Sequence, residues 1–293
     1  MGGQGPGGGA VMRRAGVVLA VALLGTVQGS AQEDLSTQEL VDRAGAYVLR
    51  FVQEFANVVA QEDMRQDYRA GSKRQLKSDF LLVKYPGEER LFLAFRDVFD
   101  VNGRPVRDQQ DRLTQLFLQP WEDAVRRASE ISRDASRHSL ADLGPETSPF
   151  VVIAMLQPIY QQDYIYRLRG REKAGDVTLR VIEMELKPPV QRNPAIAVTR
   201  ITAKAWVEEA TGRVHRTEMQ LGRAPNSRLS KMTFRFDETL GIDVPAELKE
   251  SRVGGLELTA TYSRFRRFQV RTDEAVDPAS AVTPPPTPPP TSR

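Results

Sequence analysis

Two histidines, His138 and His215, and no cysteine occur in the 293 residues, so any metal or nucleophile chemistry has few places to start. His138 ends a charged, helix-like stretch and His215 lies in a strand-like one beside Arg213 and Arg216. Neither belongs to the H-x-x-H or H-E-x-x-H spacings that place two imidazoles on one face of a helix, so no metal site is expected. Serine activation is equally unsupported, because G-x-S-x-G and S-x-x-K are both missing. A triad built from distant residues is invisible in sequence, and nothing argues for one. The glycines between Gly2 and Gly9 do not follow a strand and cannot cradle phosphate. The chain reads as a non-enzyme without a cofactor.

Glu183 and Glu185 share one face of a strand, as the carboxylates of a glycosidase could. No aromatic subsite residues cluster near them, and the same spacing describes ordinary solvated sheet surface. Glu208 and Glu209 are a second adjacent pair. The densest basic feature is Tyr262-Ser263-Arg264-Phe265-Arg266-Arg267-Phe268. A bulge there would turn Tyr262, Phe265 and Phe268 inward and leave Arg264, Arg266 and Arg267 at the rim, able to meet an anionic head group. Net charge is +3, and Arg13 and Arg14 account for two of the cations, so the exported part is near neutral and nucleic acid is not expected as a partner.

These residues need elements to hold them. Ser36-Thr37-Gln38-Glu39 has the form of a capping box, and the apolar spacing from Leu40 through Phe51 and Phe55 to Val58 and Val59 predicts one long amphipathic helix. From about Met64 the period falls to two, predicting strands over 64–69, 74–85 and 91–101, with a hairpin at Asn102-Gly103. Helical spacing returns over 108–118 and 121–137. Phe150 to Leu156 is a short buried helix or strand, and periodicity does not decide which. Strands are expected over 163–169, 177–186, 196–208, 213–221, 229–237 and 256–270, with a tight connection at Glu209-Ala210-Thr211-Gly212. Alternating Met232, Phe234 and Phe236 give the sheet one buried face. The fold class is therefore α+β: a strongly curved antiparallel sheet, a half-barrel, whose concave face takes the N-terminal amphipathic helix and the inserted helices.

The ends read differently. Arg13 and Arg14, an apolar run from Ala15 to Val27 and the small residues Gly29-Ser30-Ala31 describe a secretory signal cleaved between Ala31 and Gln32, with residues 1–11 an extension before the start at Met12. The run is too short to span a bilayer, which needs about twenty residues. Residues 32–272 are expected to form a single domain, and 273–293 a disordered Pro/Thr-rich tail. The location is then periplasmic or secreted, the chain a monomer, and any membrane association peripheral.

An amphipathic helix before curved antiparallel strands, with short helices inserted midway, resembles the outer-membrane lipoprotein-carrier (LolA-like) superfamily. The residues that carry the resemblance are Phe51 to Arg69 followed by Leu76 to Val83, Trp206 to Glu218 with its Thr211-Gly212 turn, and Gly241 to Glu250 with Val244-Pro245. The resemblance implies a half-open barrel closed by helices, with acyl chains held in the apolar gap. Phe51, Phe55, Trp206, Met232, Phe234, Phe236 and Leu258 would line that gap. A lipid, an acylated protein or another apolar molecule is the expected ligand. An interaction module docking a cell-envelope protein, without a small ligand, is the other reading.

Overall fold

Ser36 caps the first helix reciprocally: its Oγ accepts from Glu39 N–H at 3.2 Å, and Glu39 Oε2 accepts from Ser36 N–H at 2.9 Å. That helix, α1 (Thr37–Phe55), buries Leu40, Val41, Ala44, Val48, Phe51, Val52 and Phe55 along one stripe. The computed structural model describes residues 35–267 apart from 57, 86–87, 107–120, 141–142, 144–146, 188–199 and 223–226. The helix expected over 108–118, the cleavage site at Ala31 and Gln32, Phe268 and the Pro/Thr tail lie outside the described residues. Val58 and Val59, expected to extend the helical stripe, instead open β1 (Val58–Tyr68). Both are buried and β-branched, so they suit a pleated surface, and an apolar run that crosses the junction conceals the break.

Next come β2 (Lys73–Tyr85), β3 (Glu88–Val101), the two-residue β4 (Arg104–Pro105) and α2 (Trp121–Arg137). Asn102 at φ 53 and Gly103 at φ 78 make the β3–β4 hairpin. Phe150 to Leu156 resolves as the one-turn helix α3 (Val151–Ala154), followed by α4 (Pro158–Gln161). The remaining strands are β5 (Tyr164–Ala174), β6 (Val177–Leu186), β7 (Ile201–Glu208), β8 (Val214–Leu221), β9 (Arg228–Asp237), β10 (Ile242–Arg252) and β11 (Leu256–Arg267). β10 is the strand that the period-2 reading passes over. Pro245 sits where its register slips against β9, and its C-terminal part alternates charges with few apolar residues.

All described strands join one antiparallel sheet in the order β4-β3-β2-β1-β11-β10-β9-β8-β7-β6-β5, which does not close on itself. Its curvature follows from short reach. The Phe150 ring lies 5.7 Å from Phe80 of β2, while α3, which Phe150 precedes, packs on β7 and β8. β2 and β8 are five strands apart, about 24 Å if flat at about 4.8 Å per step, so the sheet must curl around the helical segment. Helix and sheet bury one core between them. The outer face carries a row of opposite charges in register, Glu183, Lys204, Glu218 and Lys231, which keeps that face wet.

Candidate functional site

Eight aromatic rings form a connected cluster between α1 and the concave face, Tyr47 joining it through Phe51 at 6.2 Å. Phe150 is its hub, with ring centres 5.5 Å from Phe51, 5.3 Å from Phe55 and 5.7 Å from Phe80. Phe80 meets Tyr262 of β11 at 5.4 Å. At the other end Phe51 meets Phe234 of β9 at 5.9 Å, and Phe55 meets Phe265 of β11 at 6.4 Å. Phe51, Phe55, Phe80 and Phe150 are buried, whereas Phe234 and Phe265 are only half-buried. The aromatic interior therefore reaches the surface along β9 and β11. Met232 and Leu258 lie in the same buried core.

The cover over this interior is fixed unevenly. In the first half of α1, Arg43 Nη1 donates to the carbonyl of Glu209 at 3.0 Å, and the Tyr47 hydroxyl donates to Asp243 Oδ2 at 2.8 Å. Burial, then the neighbouring Asp243 carboxylate, pushes the Tyr47 hydroxyl far above its usual range, so it remains a donor. Asp243 also receives a bidentate Arg213, at 3.0 and 2.5 Å. From Val48 to Ala56, by contrast, no described side chain of α1 hydrogen-bonds to the sheet. Among the described residues, that half is held by apolar and ring contacts.

A charged group lies within the apolar face. Glu62 is fully buried, and Arg96 forks onto it, Nη2 reaching Oε1 at 2.8 Å and Nε reaching Oε2. Ser78 Oγ donates to Oε2 and the Tyr262 hydroxyl to Oε1, each at 2.9 Å. Burial and the adjacent Glu62 raise the Tyr262 hydroxyl well above the usual range. The sequence does carry a signal for this group: Glu62 falls on the inward phase of Val58, Ala60, Met64 and Gln66. Phe80 and Phe150 are likewise missing from the expected lining.

Two residues expected to line the interior stand elsewhere. Trp206 alternates with Ala203, Ala205 and Val207, which join the core, so its ring faces the outer side. There its Nε1 donates to Glu172 at 2.8 Å, and Arg216 lies 4.2 Å above the ring. Phe236 is 51% exposed, with the Arg213 guanidinium 5.9 Å from its ring. The three rim arginines also divide. Arg264, at φ 50, supplies the bulge that reconciles the spacing of Tyr262 and Phe265, and its Nη1 donates to Gln61 Oε1 at 3.2 Å. Arg267 donates to the Leu240 carbonyl at 3.2 Å, while Arg266 pairs with Asp79 at 3.0 Å.

The other chemistry-bearing residues are engaged in ion pairs or scattered. Arg169 forks onto Glu183, whose carboxyl is lowered first by that hydrogen bond, and Arg167 and Arg200 pair with Glu185. A carboxylate held ionised in this way is a poor general acid. Glu208 lies 3.7 Å from His215, and Glu209 pairs with Arg171 at 2.8 Å. His138 lines a cavity of about 240 Å³ between β3 and α2, together with Asp97, Asp134 and Ile131. Among the described residues, no three His, Asp or Glu side chains are grouped to hold a metal. None of the described helices is long and apolar enough to cross a membrane.

Several solved structures are similar to this chain. A LolA superfamily protein from Nitrosomonas europaea is 13% identical, with a TM-score of 0.38 over 80% of this chain and 95% of its own. A putative outer membrane lipoprotein-sorting protein domain from Vibrio parahaemolyticus is 12% identical, with a TM-score of 0.44 over 82% and 96%. A DUF1329 family protein from Desulfovibrio piger is 13% identical, with a TM-score of 0.42 over 84% and 99%. No family model and no curated protein matches the chain.

Proposed function

We propose that the chain is an exported, monomeric, non-enzymatic binding protein that holds an acyl chain or another elongated apolar ligand between α1 and the concave face. The observation that carries this reading is the aromatic cluster, continuous from buried Phe80 to half-exposed Phe234 and Phe265, beneath a half-helix with no polar tie to the sheet. Apolar contacts are non-directional, so Phe51 and Phe55 can exchange sheet contacts for ligand contacts without breaking a hydrogen bond. Met232 and Leu258 extend the apolar floor. Arg264 and Arg267, whose partners among the described residues are neutral oxygens, are the head-group residues at the opening. Arg266 is already paired with Asp79 and takes a structural role.

Native mass spectrometry of the protein purified from an exporting bacterial host, followed by organic extraction, tests the reading. A stoichiometric amphiphile in the wild type, reduced in Phe234→Ser, is the expected result. An unmodified mass that does not change on adding a long-chain fatty acid or phospholipid would overturn it.

A further inference from the structure

Among the described residues Phe236 is the one aromatic ring that is more than half exposed. It is the last residue but one of β9, next to the turn into β10. Arginines surround this tip. Arg213 stands 5.9 Å from the Phe236 ring, Arg235 stands 5.4 Å from the Phe265 ring, and Arg267 donates to the carbonyl of Leu240 within the turn. Arg213 is paired with Asp243 and Arg235 with Asp237, at 2.5 and 3.3 Å. Among the described residues, the partners of Arg267, and of Arg264 two residues before Arg266 on β11, are neutral oxygens. Among the described residues Glu238, exposed in the turn, is the carboxylate there that opposes these cations.

We propose that the β9–β10 tip docks on an anionic bilayer surface, with the Phe236 ring entering the interfacial layer and Arg264 and Arg267 meeting lipid phosphates. An aromatic ring flanked by cations suits that layer, where the ring is partly desolvated while the charges stay at the phosphates. One ring and two cations give a weak, reversible and salt-sensitive association. The same tip adjoins the half-exposed rings of Phe234 and Phe265, so docking turns the opening of the aromatic interior toward the membrane. The inference does not require that interior to hold a ligand, and the two readings fail separately.

Co-sedimentation of the purified chain with vesicles tests it. Vesicles containing phosphatidylglycerol should carry the protein down at low salt and release most of it at high salt, and pure phosphatidylcholine vesicles should not bind. Arg264→Gln and Arg267→Gln should each weaken binding about five-fold. Phe236→Ser should abolish most of it with an unchanged melting temperature, and Glu238→Lys should raise it about five-fold. Extracted amphiphile content should not change in Phe236→Ser or Glu238→Lys, which lie outside the proposed ligand site. Equal binding to both vesicle types, no binding, or full binding by a folded Phe236→Ser protein would overturn the proposal. Capture of an acidic protein by the tip without any vesicle binding would overturn it too.

Discussion

The Tyr47 hydroxyl donates to Asp243 Oδ2 at 2.8 Å, joining α1 to β10 across 196 residues of sequence. With Arg213 on the same carboxylate, this contact closes a partly buried triangle between helix, strand and the β7–β8 hairpin. Replacing Tyr47 with Phe keeps the ring and removes one hydrogen bond to a charged acceptor. The expected cost is about 1.5–3 kcal/mol of stability. Urea unfolding measures it directly, and exchange of a fluorescent fatty acid should become faster as α1 loosens. An unchanged midpoint would show that Arg213 alone satisfies Asp243.

Gly212 is the second fastening of that half of the helix. Its φ is 75°, and a Cβ built there would lie 2.4 Å from the Arg43 carbonyl oxygen. Gly212→Ala therefore combines a left-handed backbone with a collision against the main chain of α1, which cannot rotate aside. We expect a loss of at least about 2 kcal/mol. Gly71→Ala, at φ 99 with open space around it, is the control that isolates the collision. Equal losses in the two variants would remove the close approach from the explanation.

Much of this arrangement was legible in the sequence, and the misses have physical causes. The capping box, the Asn102-Gly103 hairpin and the bulge near Arg264 are local, because each is dictated by residues within a few positions. The end of α1 is hidden in the sequence because Val58 and Val59 continue an apolar run through the break. β10 is hidden because a central strand carries Pro245 at a bulge and pairs its charges with neighbours. The side that Trp206 takes is hidden too. Which face it occupies depends on the phase of Ala203, Ala205 and Val207, and those small residues give a weak signal. The Glu62–Arg96 pair joins strands separated by β2 and needs the sheet order to be seen.

That pair yields a third prediction. Removing only Glu62, by Glu62→Gln, leaves the buried Arg96 guanidinium without its counter-charge and should cost about 3–5 kcal/mol. The double change Glu62→Met, Arg96→Met removes both charges at similar volume and should cost much less, because neither desolvated ion remains. Chemical unfolding of the two proteins makes the comparison. A double variant as unstable as the single one would mean that Ser78 and Tyr262, once stripped of their acceptor, carry most of the penalty.

His215 sets a pH dependence whose sign can be worked out. Burial first, and then the neighbouring Arg213, lower its pKa below the ordinary 6.5, against the weaker opposing pull of Glu208 at 3.7 Å. The folded chain therefore binds fewer protons than the unfolded chain as the pH falls below 6.5. The stability that this residue contributes is complete above 6.5 and is lost as the pH drops through the folded-state value. His215→Gln keeps a polar side chain and removes the titration, so its urea midpoint should fall less than that of the wild type between about pH 7.5 and 5. If the two midpoints fall in parallel, His215 does not set the slope in that range; Glu183, lowered by Arg169 from the ordinary 4.5, adds its own loss only at more acid pH, where Arg169→Gln should flatten the curve.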